Sequence, residues 1–337
     1  MDVSVLTRKG FSETRHKDDE LAVPPNKLLN CRKLDQIPLR RTARRPLLSL
    51  DFDDGRGVMH KSVADLGDLE MAKKTTLSRA SIIRALTAEL QPLRFVHAFW
   101  ESGAAAFNRI DEWSDIDLYI VVKDAAAVSE TFLIVEKALT ALSPVRLRRE
   151  VSWPATSGIF QKFYRPAGTS EFLLVDLAVM TLSAPDKFLV REIHGDAVFL
   201  FNKGDTVRVP PLDAEAFVRG LLERRRRLAE RMELFGPFVP KEIHRRKWLE
   251  ALEFYRGLVL QALVEVLRMQ YGPLHYDFRM RYLYREFPPE ILRQLERHAF
   301  VKDPDDLAAK YPQAIAWFRE AIEALDARQV RRQILES

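Results

Sequence analysis

The apolar residues of this 337-residue chain change their spacing at Pro210-Pro211, and that change constrains the fold more than any other feature. Before it, short runs alternate with period 2 or are continuously apolar, at 95–100, 116–122, 147–153, 159–165, 171–181 and 198–201, which reads as six strands. Between the second and third runs, Val128, Phe132, Val135 and Leu139 recur at helical spacing, and Pro144 closes the segment. Strands interleaved with a helix predict a mixed α/β sheet. After the two prolines the spacing is helical almost throughout. Asp213 is placed to cap a helix carrying Phe217, Leu221, Leu228, Met232 and Phe235, which Gly236-Pro237 stops. A longer helix is expected from Pro240 to Gly272-Pro273, and further helices over 289–298 and 312–335. The expected fold is therefore α/β (α+β): a mixed-sheet domain over 71–210 followed by a helical bundle domain over 211–337.

Residues 1–70 differ in texture, with Pro24, Pro25, Pro38 and Pro46, mixed charge and only Phe11 and Phe52 as aromatics. Such a segment has little apolar area to offset ordering entropy and reads as a disordered arm. Met71 also resembles an ordinary protein start, so an over-extended start and a flexible tail are both open; Ser78 then caps a helix running to Leu90. The single cysteine, Cys31, excludes an intramolecular disulfide and a thiolate zinc cluster, and fits a reducing, cytoplasmic setting. No apolar run approaches the roughly 20 residues that span a bilayer. The formal charge of +5 is too small to name a partner.

Chemistry is concentrated between Trp100 and Val122. A strand ends at Trp100, Gly103 permits a sharp turn into a short helical stretch, and Ser114-Asp115-Ile116-Asp117 opens the next strand. Side chains alternate along a strand, so Asp115 and Asp117 share a face. Two carboxylates there repel unless a cation lies between them, and Mg²⁺ takes such oxygen ligands together with water and substrate phosphate. A third acid, Asp176, interrupts an otherwise apolar strand, where a lone buried carboxylate costs several kcal/mol and calls for a metal or cation partner. If its strand lies beside that of Asp115, the three acids form a two-metal cluster.

Gly103, the Asp115-Ile116-Asp117 triplet twelve residues later and the distant Asp176 together resemble the polymerase-β-like nucleotidyltransferase superfamily, whose smaller bacterial members include aminoglycoside nucleotidyltransferases. The resemblance is strongest over 95–122; Gln161-Lys162-Phe163-Tyr164, His194-Gly195 and Arg281-Tyr282-Leu283 also look like uncharacterised bacterial members with a helical second domain. It implies a nucleotidyltransferase that moves a nucleoside monophosphate from an NTP to a hydroxyl of a small, aminoglycoside-like molecule or of a protein, with pyrophosphate release. It further implies two Mg²⁺ ions, Asp115, Asp117 and Asp176 as metal-binding and catalytic residues, and a nucleotide cradle at Gly103, Ala104 and Ser114. The family's usual Gly-Ser turn is Gly103-Ala104 here, so one phosphate-bonding hydroxyl is missing, a loss of roughly 1.5–3 kcal/mol.

Plainer readings compete at several positions. Asp111 and Glu112 read as solvated loop acids, Glu171 as an exposed acid rather than a general base, and His97 as a core histidine; His194-Gly195 reads as a loop for which a nucleotide contact stays open. Arg224–Arg227 and the cluster of Lys241, Arg245, Arg246 and Lys247 suggest nucleic acid, yet four consecutive helical residues span more than a turn and cannot form one flat stripe. Pairing with Glu223 and Glu230 is the stronger expectation, so nucleic acid is disfavoured as a partner. A homodimer, a catalytically weakened nucleotide-binding regulatory protein and a nucleic-acid-directed transferase remain open alternatives.

Overall fold

A computed structural model describes residues 77–336, so the expectations for 1–70 lie outside the described residues. Six strands, β1 (Val96–Glu101), β2 (Ile116–Val122), β3 (Val145–Val151), β4 (Ile159–Pro166), β5 (Val175–Thr181) and β6 (Val198–Asn202), form one sheet in the order β3-β4-β5-β2-β1-β6. β2 and β5 run parallel, while β1–β2, β1–β6, β3–β4 and β4–β5 are antiparallel, so the sheet is mixed.

Alternation along the central strands gives the sheet two different faces. Ile116, Leu118, Ile120, Val122, Val175, Leu177 and Val179 point to one side, where they meet α1 (Arg79–Leu90) and α2 (Ala126–Leu142). α1 begins as the sequence predicts: the Ser78 hydroxyl accepts from Ser81 N and the Ser81 hydroxyl accepts from Ser78 N, a reciprocal cap typically worth about 1 kcal/mol. Its buried stripe is Ile82, Leu86 and Leu90, each fully enclosed, and each such side chain contributes about 1.5–3 kcal/mol of transfer free energy. The other face carries Tyr119, Val121, Ala178 and Met180, covered by Ala184, Leu189 and Val207 rather than by a long helix. Asp117 and Asp176 belong to this second face by parity.

Beyond the sheet, α4 (Ala214–Phe235), α5 (Phe238–His244), α6 (Trp248–Phe254), α7 (Gln261–Tyr271), α8 (Leu283–Glu286), α9 (Pro289–Ala299), α10 (Pro304–Ala324) and α11 (Ala327–Leu335) gather around a separate core that includes Leu221, Tyr255, Leu263, Leu267 and Phe318. Asp213 caps α4, accepting from Ala216 N. Among the described residues no helix is long and apolar enough to cross a membrane.

Several expected boundaries are corrected. The helix expected from Pro240 is interrupted at 245–247, where Arg246 takes φ +58° and Lys247 N bonds back to Glu242 O; a left-handed residue ends a helix however regular the apolar spacing beyond it. α6 then continues through a π-helical stretch, Tyr255–Leu260, into α7. Pro312 does not start a helix but lies inside α10, which begins at Pro304 behind the cap Asp303. Pro312 removes one backbone hydrogen bond, and Leu307, Ala314, Ile315 and Phe318, buried on both sides of it, keep the helix whole. The strand expected from 171 starts only at Val175, because Ser170 folds the chain into a turn, its hydroxyl and carbonyl accepting from Phe172 N and Leu173 N. The third strand begins and ends two residues earlier than its spacing suggests, at Val145–Val151.

Candidate active site

The parallel register of β2 and β5 sets Asp117 opposite Asp176, with Asp115 two residues before Asp117. The structure thus brings two of the predicted acids side by side on one face at the entry ends of two neighbouring strands. Asp115 stands where the chain enters β2, and its Oδ1 accepts from Leu174 N at 3.2 Å, just before β5. Burial, and then the charges of Asp117 and Asp176, push the Asp115 carboxyl above its ordinary range, while the Leu174 hydrogen bond opposes them. The three carboxylates are close enough to feel one another.

Asp176 is only 7% exposed, and the expectation that it needs a metal or cation is met in part by a neutral group. The amide of Gln161, itself buried in β4, donates to Asp176 Oδ1 at 2.5 Å, and Trp153 Nε1 donates to Gln161 Oε1 at 3.0 Å. This relay fixes the rotamer of the carboxylate and its amide partner, and sequence reading did not find it. The available signal was a polar residue two positions along from Ile159, on the same strand face.

Gly103 adopts φ +58°, a conformation that favours glycine, and a Cβ there would overlap the Asp117 carboxylate. The segment after it is not the expected short helix but a succession of turns, with Ala105 N bonded to Ser102 O, Asn108 N to Ala105 O and Arg109 N to Ala104 O. Asn108 also takes a positive φ, which prevents the turns from propagating into a helix. Among the described residues, the N–H groups of Gly103 and Ala104 have no acceptor. Ser114 does not project its hydroxyl freely: it donates to Asp111 Oδ1 at 2.6 Å and accepts from Asp111 N at 2.9 Å.

Two further groups frame the acids. Glu101 closes β1, buried, and is paired with Arg79 of α1, whose other guanidinium nitrogen donates to Asp115 O at 2.7 Å. Burial raises the Glu101 carboxyl and the charge of Asp117 adds to the rise, while Arg79 opposes both. Arg79 therefore ties α1 to the ends of β1 and β2 at once. On the other side, Gly195 packs onto the turn: Asp196 N bonds Ala106 O at 2.8 Å, and a Cβ on Gly195 would come within 2.6 Å of that carbonyl. His194 ends a single helical turn, α3 by position (Arg191–His194), and its ring meets Phe188 edge-on. Glu171 is exposed, and His97 lies in β1 beside an irregularity of register.

The helical region reaches the same turn. Arg109 lies over the rings of Phe107 and Tyr282 and 3.7 Å from Glu286, the carboxylate that also pairs with the fully buried Arg268 at 2.6 Å. His275 lies 3.2 Å from Glu286, stacks on Phe278 and contacts Ile193 O through Nε2. Burial alone would raise the Glu286 carboxyl, but His275 and Arg268 outweigh it and hold the group below its ordinary range. The four-arginine run is consumed by pairing: Arg224 with Glu265, Arg225 with Ile322 O, and Arg226 and Arg227 with Glu223.

Among the described residues no three His, Cys, Asp or Glu side chains close around a point as a ready metal cage. The donor set nevertheless suits Mg²⁺, which is held by one or two carboxylates and completes its octahedral shell with water and substrate phosphate instead of an all-protein cage. Asp117 and Asp176, opposite each other in register, are the residues that could offer paired oxygen ligands, with Asp115 adjacent.

No family model matches the chain, and no curated protein matches it. Among solved structures it is similar to an aminoglycoside 6-adenyltransferase from Bacillus subtilis, at 11% sequence identity, over 77% of this chain and 92% of that one, with a TM-score of 0.29. A likeness of that size carries no argument.

Proposed function

We propose that this chain is a metal-dependent nucleotidyltransferase, transferring a nucleoside monophosphate from an NTP to a hydroxyl of a small molecule or a protein. The observation that carries the reading is the register pairing of Asp117 with Asp176, beside a turn whose glycine makes room for the Asp117 carboxylate. Asp115, Asp117 and Asp176 would hold two Mg²⁺ ions. When bound, Mg²⁺ offsets phosphate charge and favours loss of the acceptor proton. The residues of the chain do the positioning: Gln161 holds Asp176 in place, Gly103 lets Asp117 stand against the turn, and the N–H groups of Gly103 and Ala104 offer donors to phosphate oxygen. The acceptor oxygen bonds to the α-phosphorus, the bond to the bridging oxygen breaks, pyrophosphate departs and the hydroxyl proton passes to solvent. No covalent protein nucleophile is required.

The deciding experiment screens the four NTPs against hydroxyl-bearing acceptors for pyrophosphate release, with the parent, with Asp117→Asn and with chelator added. Activity that vanishes in both controls supports the reading; Asp117→Asn as active as the parent sinks it. The alanine at 104 favours a second reading, a nucleotide-binding regulator, which predicts Mg²⁺-dependent nucleotide binding without pyrophosphate release for any acceptor.

A further inference from the structure

The two loops that deliver the acids to the sheet each carry a large aromatic side chain left in solvent. Trp113, two residues before Asp115, is 57% exposed, and Phe172, four residues before Asp176, is 49% exposed. Their rings meet edge to face, centroids 4.7 Å apart at 74°, and Ile110 beside them is 52% exposed. The loops are bound to each other below the rings, since Ile116 N donates to Leu174 O at 2.8 Å and Leu174 N donates to Asp115 Oδ1. Trp113 therefore sits within about 7 Å of chain from Asp115, and Phe172 within about 14 Å of chain from Asp176.

Elsewhere in the sheet Phe99, Trp100, Tyr119 and Tyr164 are buried, and Phe160 of β4, at 36%, is less exposed than either ring of the pair. A chain that buries those and leaves a mutually braced pair outside, at the mouth of its acid site, presents flat apolar ring surface to something. The surroundings limit what that is. Asp111, Glu112, Asp115 and Glu171 are exposed around the pair and outnumber the cations near them, Arg165, which donates to Glu171 O, and Arg285, so an anionic membrane surface is disfavoured. Three side chains are also far short of the roughly 800 Å² per partner that a stable protein interface covers, but they match one planar ring.

We propose that Trp113 and Phe172 form a stacking platform for the nucleobase of the nucleotide whose phosphates are held at Asp117 and Asp176. This rests on the nucleotidyltransferase reading. Stacking needs only a π-face, so the platform accepts any of the four bases, and its loss weakens binding by about tenfold.

The test is calorimetric titration of the full chain, in Mg²⁺, with each NTP and with inorganic tripolyphosphate, which carries the charge without the base. Expected are tighter binding of NTP than of tripolyphosphate by the parent, about tenfold loss of NTP affinity in Trp113→Ala and Phe172→Ala, no change for tripolyphosphate, and near-parent NTP binding by Trp113→Phe. Both side chains are exposed, so an unchanged thermal midpoint accompanies these effects. NTP binding by Trp113→Ala equal to that of the parent overturns the platform and leaves the catalytic reading intact, as does equal weakening of both ligands. A parent that binds neither ligand overturns both.

Discussion

The carboxylate of Asp117 occupies the hollow that Gly103 leaves beside its backbone, so the turn and the first residue pair of the candidate site are one steric unit. Gly103→Ala adds a methyl group where that carboxylate lies and strains a backbone at φ +58°. A cost of at least about 2 kcal/mol in stability is expected from conformation and overpacking together, read by urea denaturation, together with loss of Mg²⁺-dependent nucleotide binding. Nucleotide binding that survives Gly103→Ala would separate the turn from the site.

Restoring a hydroxyl next to the same glycine has the opposite sign. Ala104→Ser adds one donor beside two backbone N–H groups that have no acceptor among the described residues, and changes volume little. The expected gain is about 1 kcal/mol in NTP binding, or several-fold in Kd, because the new hydrogen bond replaces one to water. Isothermal titration against the parent measures it, and equal affinities would show that residue 104 does not face phosphate.

Gln161→Leu keeps the approximate volume of the side chain but takes the amide away from Asp176 and the acceptor away from Trp153 Nε1. Stability is expected to fall by about 1–3 kcal/mol, the usual cost of leaving buried polar groups unmet. Added Mg²⁺ should recover part of the loss if Asp176 is a ligand, which thermal melts with and without the ion would reveal.

Removing one partner of the Arg268–Glu286 pair leaves a charge enclosed, since Arg268 has no exposed surface. Glu286→Gln should cost about 3–5 kcal/mol, whereas the double variant Arg268→Met with Glu286→Gln should cost less than the sum of the two single changes. Equilibrium denaturation of the parent, the two single variants and the double variant gives the cycle. The same single variant should loosen Arg109 and the turn behind it, visible as faster hydrogen exchange at 104–109.

His298 is buried against Trp317, and burial, then Lys310 and Arg297, hold its pKa below the ordinary 6.5. The unfolded chain therefore binds a proton more readily than the folded one, so this contribution is intact above pH 6.5 and is lost as pH falls from there through the depressed folded value. Denaturation midpoints at pH 7.5 and 5.5 should differ more for the parent than for His298→Phe. An equal pH response in both proteins would remove His298 as its source.

Much of this architecture is written in local spacing. Alternation over β2, the helical repeat of Val128, Phe132, Val135 and Leu139, and the caps at Ser78 and Asp213 all depend on residues a few positions apart, where geometry is set by the backbone period and by one side chain reaching its own backbone. Parity along β2 likewise assigns Asp117 to the face of Tyr119 and Val121 without any knowledge of neighbours, while Asp115 lies just before the strand begins. The failures have one cause. Whether Pro312 ends a helix or rides inside one was decided by apolar side chains that dock on the core on both sides of it, and the turns of 103–108, closed by the left-handed Asn108, lie against the Asp117 carboxylate on one side and Gly195 on the other. Gln161 as the partner of Asp176, Arg79 as the brace of Glu101, and Glu286 as the meeting point of Arg109, His275 and Arg268 join residues 15, 22 and as many as 177 positions apart. Contacts of that range leave no periodic trace, because they depend on which strand lies beside which and how the helical region closes on the turn, and only the packed chain chooses that.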